Sequence, residues 1–416
     1  MSTFPFVSTK RLRVLLLLVL FGFLLLTRFY EMEQRNQFTW DQLNNAWAAK
    51  TIIDDKRIPL VGMQAKLNSG IYIGPLYYYL ITPVYFMFDL DPIASGYIAG
   101  VTSILTFLVL FIVIKRLFNE GTAFISVFLY TVTITYIQAD RIQWPVNFIP
   151  LISLLVFYSL TNVFQRKYLH LLYLGIWIGL SFHIHLTSIF YPLFIIAALP
   201  FFPRTKQTLL FGGLGILSVI TLISPLLYYH LISQATATGT LYAQSIYHGL
   251  HLRRMLQLSS DAFIELGNFT VFPIFSFFRF LILPLFIFAY VRKKRTREKL
   301  LVVYLLLIWF IVPWIVFSTY SGDLTGYYFS LTRLLSIAVV SYLLYKLFTI
   351  HLMLKVLVVI LLGIYGYANI SQYLSTRYEG IEFYRNRTLK RIDKGEQIEF
   401  VEGAPESYFY YIYTRK

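Results

Sequence analysis

At 416 residues, 57% hydrophobic and 13% charged, with mean hydropathy +0.65, the chain lies outside the range of soluble globular domains, which carry about 25% charged residues. It reads as a polytopic membrane protein with room for roughly ten to twelve spans of about 20 residues, which excludes a large soluble domain. Without Cys, disulfides, thiolate metal sites and Cys nucleophiles are excluded together. The formal charge of +16 is read as Lys and Arg gathered in cytoplasmic loops against anionic lipid, with no nucleic acid as partner.

In chain order, Lys10, Arg11 and Arg13 precede an apolar run that resembles a signal peptide, but no small-residue cleavage site follows before Arg28. It is read as an uncleaved first span. The spans are expected at about 14–27, 93–114, 122–137, 146–164, 169–182, 187–202, 208–229, 271–291, 300–318, 328–348 and 352–371. Charge parity orders them. With the N-terminus inside, the cytoplasmic connections carry Lys115 and Arg116, Arg166 and Lys167, Arg204 and Lys206, then the basic run 292–299, then Lys346, opposed only by Glu120 and Glu298. The outward loop 28–92 balances its bases with Glu31, Glu33, Asp41, Asp54, Asp55, Asp89 and Asp91. This is the positive-inside pattern. Counting the apolar run 76–88 as a crossing would invert every later loop, so it is expected as an outer-face interfacial helix packed on protein.

The expected division is a transmembrane domain over 1–371 and a short outward tail over 372–416, whose alternating residues suit a helix-plus-strand cap. No internal repeat is visible, which weighs against an inverted-repeat transporter.

Thr39-Trp40-Asp41-Gln42 has the form of a capping box, and Leu43, Ala46, Trp47 and Ile53 continue it as an apolar stripe. Asp41 therefore stands in the first turn of a surface helix, where it either complements the helix dipole or does chemistry. Asp140 ends the third span beside Arg141, either as an interface ion pair or as the mark of a polar cavity. His183 and His185, two apart, do not share a helix face, which disfavours a two-His metal site. His248, His251, Arg253 and Arg254 fall in a long outward loop, as solvated charge or as a phosphate fork. Lys66 carries the same two readings. Arg333, just inside the tenth span, either snorkels or holds an anion in a cavity. No Walker motif, Gly-rich dinucleotide turn or HExxH is present.

The basic N-terminus, the Phe-x-x-Asp at a helix start, Gly74-Pro75-Leu76-Tyr77-Tyr78-Tyr79-Leu80 with Asp91-Pro92, and a span ending Lys-Arg-Leu-Phe together resemble the GT-C glycosyltransferases. The likeness is to the bacterial protein-mannosyltransferase-like family 39 enzymes, with the lipopolysaccharide sugar transferases and the lipid A aminoarabinose transferase nearby. Trp144-Pro145-Val146-Asn147 and Ser181-Phe182-His183-Ile184-His185 extend the likeness, which covers about residues 10–200. It implies an all-α GT-C fold of about eleven transmembrane helices with juxtamembrane helices in the first loop. It also implies transfer of a sugar from a polyprenyl-phosphate donor to a lipid, glycan or protein acceptor at the outer face of the inner membrane.

By position, Asp41 matches the acid proposed as general base and Asp140 the second-loop acid. Lys66, Tyr77, Arg141, His185, Arg253, Arg254 and Arg333 are then the substrate-binding candidates. Gln42 follows Asp41, so the paired acids common in the family are absent and a divalent metal is left open as the cofactor. The rivals are a lipid or glycan flippase without covalent chemistry, and a polysaccharide polymerase or ligase with its site in the loop 229–270.

Overall fold

The computed structural model describes residues 10–65, 70–232, 249–269, 277–292, 295–376, 378–401 and 403–415. Seven of its helices are long and apolar enough to cross a membrane: α1 (Lys10–Phe29), α5 (Ile93–Leu117), the segment Pro145–Phe164, α11 (Lys206–Ile232), α15 (Arg297–Phe317), the segment Gly326–Phe348 and α17 (Leu352–Ser375). Four shorter apolar helices stand among them: α6 (Glu120–Val132), α9 (Leu169–Ser181), Leu186–Phe201 with α10 (Phe190–Ala198) at its centre, and α14 (Arg279–Val291). Every expected span thus has a helix. Among the described residues no strand forms, only a single bridge between Gln64 and Tyr72.

The third expected span, 122–137, is not continuous. It breaks at Thr133, which takes an extended ψ of 120° between α6 and α7 (Ile134–Ala139). Thr133 Oγ1 donates to Leu129 O at 2.6 Å and pairs with Tyr365 Oη at 2.9 Å, and the Ile134 N–H donates to Asn369 Oδ1 at 2.9 Å. Asn369 of α17 therefore satisfies the Ile134 N–H that the break exposes, while Tyr365 meets the Thr133 hydroxyl, which is what a break inside an apolar bundle requires.

Two ends of the bundle are chemically distinct. At one, Arg13 and Lys115 both hold Glu120, at 2.6 and 2.7 Å. At the other lie the first loop and the tail. Packing between α9 and α11 is close enough that a Cβ on Gly175 would sit 2.0 Å from the Gly215 carbonyl oxygen, a small-residue contact suited to lipid, where apolar burial gives helices little reason to associate. The main core gathers α6, α8 (Ile149–Phe164), α15 and α16 (Arg333–Phe348), with Trp309 buried between Phe157 and Phe194.

The first loop folds as α2 (Met32–Arg35), α3 (Trp40–Ile53) and α4 (Leu76–Met87). At 12 residues, α4 spans about 18 Å, short of the roughly 30 Å of a hydrocarbon core. It lays Tyr77, Tyr78, Ile81 and Tyr85 against Leu43, Ala46 and Ala49 of α3.

The tail forms α18 (Ile381–Asp393) and α19 (Pro405–Thr414), and the strand expected in it is absent. Residues 396–401 find no partner strand; Ser407 Oγ accepts from the Val401 N–H at 3.0 Å and Phe400 packs on Trp47. Tyr408 and Phe409 of α19 are buried against Phe38, while Arg385 holds Glu33 and Asp91 and Arg415 holds Asp89. The tail is a lid on the first loop.

Candidate functional site

Why α3 begins where it does is legible atom by atom. The Thr39 N–H donates to Gln42 Oε1 at 3.1 Å, closing the expected capping box. Gln42, buried, turns its other end inward and donates from Nε2 to the Gln143 carbonyl at 3.2 Å. The side chain that closes the cap therefore also ties α3 to the turn between α7 and α8.

Asp41, next to it, is half-buried and makes no hydrogen bond or ion pair to the described residues. Desolvation alone raises its pKa above the ordinary carboxylate value. Its charge is felt by the hydroxyls of Tyr77 and Tyr78, and burial, chiefly, pushes Tyr78 up to about 12. Tyr77 Oη accepts from Gln143 Nε2 at 3.1 Å, and Asn44 Nδ2 donates to Tyr78 Oη at 3.0 Å.

The Gly74-Pro75 motif has a structural explanation. A Cβ on Gly74 would fall 2.0 Å from His183 Nδ1. That nitrogen accepts from the Leu76 N–H at 3.2 Å while Nε2 faces the Leu222 carbonyl at 2.9 Å, so His183 is neutral with its proton on Nε2. It pins the start of α4 to α11. His185 caps the 3-10 turn at Leu186 by accepting from the Thr187 N–H and packs edge-on to Tyr327 and Tyr328; burial lowers its pKa to about 4.

Asp140 sits at the end of α7, paired with a residue 112 positions away. Arg28 Nε and Nη2 both donate to its Oδ2, at 3.2 and 2.8 Å. Arg28 also donates to the carbonyls of Thr131 and Tyr130, at 2.7 and 2.9 Å, and its side chain is 0% exposed. The adjacent pair Asp140–Arg141 envisaged from the sequence does not form, because a chain turning at the end of α7 points successive side chains apart.

Arg141 instead donates to the carbonyls of Thr27 and Glu31 and to Tyr373 Oη, at 3.0, 3.2 and 2.8 Å. Arg333 pairs with Glu265 at 2.9 Å, and Glu265 also accepts from Tyr136 and Asn268. Arg254 donates to the Gly322 carbonyl at 2.8 Å and Arg253 is exposed on α12 (Leu252–Ala262); neither reaches the cleft described next. Lys66 and His248 lie outside the described residues.

Three hollows meet at this end of the bundle. An apolar groove of about 200 Å³ runs between α4, α8 and α9, lined by Leu76, Tyr77, Leu151, Leu155, Trp177 and His183 among others. A narrow cleft of about 10 Å³, room for about one water, is lined by Tyr77, Thr102, Asp140, Gln143 and Asn147. A third cavity of about 200 Å³ holds Arg35, Gln138, Arg141 and Tyr378. Tyr77 belongs to both groove and cleft, and Ile142 to both cleft and third cavity. Asp140 lines the cleft directly. Asp41 does not, but is held beside it through Gln42 and Tyr77.

Sequence reasoning missed Arg28, Gln143 and Glu265. Arg28 was findable, since parity puts the end of the first span at the same depth as the end of the third. So was Glu265, the one acid in the apolar stretch 262–291. Gln143 carried no signal. Among the described residues no three His, Asp or Glu side chains cluster, and Asp140 is already held by Arg28, so no step is assigned to a metal.

Residues 62–229 match the family model described as dolichyl-phosphate-mannose-protein mannosyltransferase. None of the curated proteins compared matches the chain. Among solved structures, ArnT from Cupriavidus metallidurans bound to undecaprenyl phosphate superposes with TM-score 0.59 at 12% identity, over 97% of this chain and 85% of that one. The apo oligosaccharyltransferase of Archaeoglobus fulgidus superposes with TM-score 0.56 at 13% identity over 96% of this chain, which spans 60% of that protein's length. At its centre the chain thus carries a segment similar to that mannosyltransferase family model, and it shares its fold almost end to end with ArnT.

Proposed function

We propose that the protein is an inverting glycosyltransferase that moves a sugar from a polyprenyl-phosphate donor to an acceptor hydroxyl or amide at the outer face of the membrane, with Asp41 as general base. The observation that carries this reading is that the apolar groove and the polar cleft adjoin at Tyr77, which lines both. An almost wholly apolar groove beside a polar cleft that holds one carboxylate, with a second close by, is an arrangement suited to a lipid whose head carries the reacting sugar. The match to ArnT, solved with undecaprenyl phosphate, supports the same donor class, and the positive-inside charge pattern supports the orientation.

In this reading the polyprenyl chain lies along Leu76, Leu151 and Trp177, and the sugar enters the cleft beside Tyr77 and Gln143. The acceptor oxygen attacks the anomeric carbon, its proton passes to the Asp41 carboxylate, and the bond from that carbon to the phosphate oxygen breaks to release polyprenyl phosphate. One base suffices for this single displacement, whereas a retaining route needs a second carboxylate free to act as nucleophile. Asp140, engaged by Arg28, is not free in that sense, and its proposed role is to fix the cleft wall. A carboxylate with a raised pKa and no donor bonded to it among the described residues is suited to accept a proton. Lys66 is retained as the proposed partner of the leaving phosphate.

The test is transfer from a polyprenyl-phosphate sugar in membranes. Asp41→Asn should lower turnover by about 10² to 10⁴, while Asp41→Glu retains a larger fraction of it. Full turnover by Asp41→Asn would remove Asp41 from the mechanism, and lipid movement without any transfer by the native protein would favour a flippase.

A further inference from the structure

The third cavity is not needed by the donor. The groove and cleft are assigned above to a lipid tail and a sugar, and the cavity lies across Ile142 from the cleft. Its wall is made of Arg35, Gln37, Gln138, Arg141, Tyr373 and Tyr378, with no carboxylate among them. The charges around it do not balance. Arg28 is paired with Asp140 and Arg35 with Glu31, while Arg141 makes no salt bridge among the described residues and shares only the field of Glu31, whose carboxylate Arg35 already holds.

Arg141 is 4% exposed, and its Nε is buried without a hydrogen-bond partner. A clip holding Thr27, Glu31 and Tyr373 would explain its other two nitrogens. It does not explain why the clip is a cation, since taking an unpaired guanidinium out of water is costly and a neutral donor would hold the same carbonyls. Nor does it explain why a cavity was left beside it. Burial and the repulsion of Arg35 and Arg28 lower its pKa to about 10, which still leaves it charged at neutral pH.

We infer that this cavity is an anion subsite for the acceptor, in which Arg141, with the Gln37 and Gln138 amides and the Tyr378 hydroxyl, receives a carboxylate or phosphate carried by the acceptor molecule. The inference rests on the donor occupying groove and cleft, as proposed above. A guanidinium fork among neutral donors matches the flat, bidentate geometry of either anion. The acceptor class is therefore an acidic glycan or a phosphorylated lipid or glycan, its anion anchored on one side of Ile142 and its nucleophile on the other.

The test uses the purified full chain in detergent, saturated with polyprenyl phosphate so that any donor phosphate site is filled, at constant ionic strength. Inorganic phosphate and galacturonate are titrated separately by calorimetry. One of them, or both, should bind with one equivalent, and which one binds identifies a phosphate-bearing or an acid-sugar acceptor. Gln37→Ala and Tyr378→Phe should weaken binding about tenfold, and Arg141→Gln should abolish it with Arg141→Lys intermediate. Gln37→Ala removes no hydrogen bond made among the described residues and Tyr378→Phe removes a single one, from Gln138 Nε2, so the test survives if Arg141→Gln does not fold. Failure of both anions to bind, or equal binding by Gln37→Ala, Tyr378→Phe and the native chain, overturns the subsite and leaves the transfer reading standing. If Asp41→Asn keeps turnover while the anion binds as expected, the transfer reading falls instead.

Discussion

The two acids named from the sequence should fail in opposite ways. Asp140→Asn removes a charge that Arg28 meets with two donors on one oxygen, at 3.2 and 2.8 Å, while the Arg28 side chain is 0% exposed and Asp140 is 12% exposed. At about 4 Å between charge centres and an effective dielectric constant near 20, the Coulomb attraction is about 4 kcal/mol. The asparagine carbonyl recovers part of it as a neutral hydrogen bond worth about 1 kcal/mol. Arg28 keeps its bonds to Thr131 and Tyr130 but loses its only carboxylate. The net destabilisation is therefore about 3–5 kcal/mol, the range for breaking one side of a buried pair, and a large part of the 5–15 kcal/mol that holds a typical domain.

Asp41→Asn should do the reverse. Asp41 has no bond to lose among the described residues and its charge is desolvated, so the neutral variant should melt at the same temperature or higher, while turnover falls by about 10² to 10⁴. Thermal unfolding of purified protein in detergent, followed by tryptophan fluorescence beside a transfer assay at a temperature where both variants are folded, separates the two. An Asp140→Asn variant that melts like the native protein would refute the assigned role of the Arg28 pair. An Asp41→Asn variant that loses both stability and activity would mean that Asp41 is structural.

The pH dependence follows from the same burial. Asp41 must be deprotonated to accept a proton, so kcat/KM should rise with pH through a pKa above the ordinary value of 3.8, and that limb should vanish in the residual activity of Asp41→Asn. Because the folded-state pKa is raised, the contribution of Asp41 to stability is present at acid pH and lost as pH rises through it, in keeping with a more stable Asn variant at neutral pH. Gly74→Ala drives a Cβ into His183 and should cost about 1–3 kcal/mol, read as a lower melting temperature. Tyr408→Ala empties a fully buried site between the tail and the first loop and should cost about 3–5 kcal/mol. Limited proteolysis should then cut the first loop sooner; an unchanged cleavage pattern would show that the tail does not hold it.

How much of this was legible in the sequence depends on how far apart the interacting residues stand. Local rules sufficed for local features. Hydrophobic length marked every span, because a bilayer sets a minimum run of apolar residues. Charge parity kept α4 from being taken as a crossing, and the capping box fixed the start of α3, because its two partners are three residues apart. The assignment of Asp41 to chemistry came from the family resemblance, since a first-turn Asp has an ordinary use in any helix.

What only the tertiary structure decided concerns residues brought together across the chain. Arg28 reaches Asp140 over 112 positions, Glu265 meets Arg333 over 68, and the tail closes on a loop more than 300 residues before it. The break at Thr133 is a tertiary fact as well, satisfied by Tyr365 and Asn369 from another helix. Apolar spans are interchangeable in sequence because lipid asks of them only length and apolarity. Which polar groups face one another inside the bundle is set by helix packing, and no short motif records it.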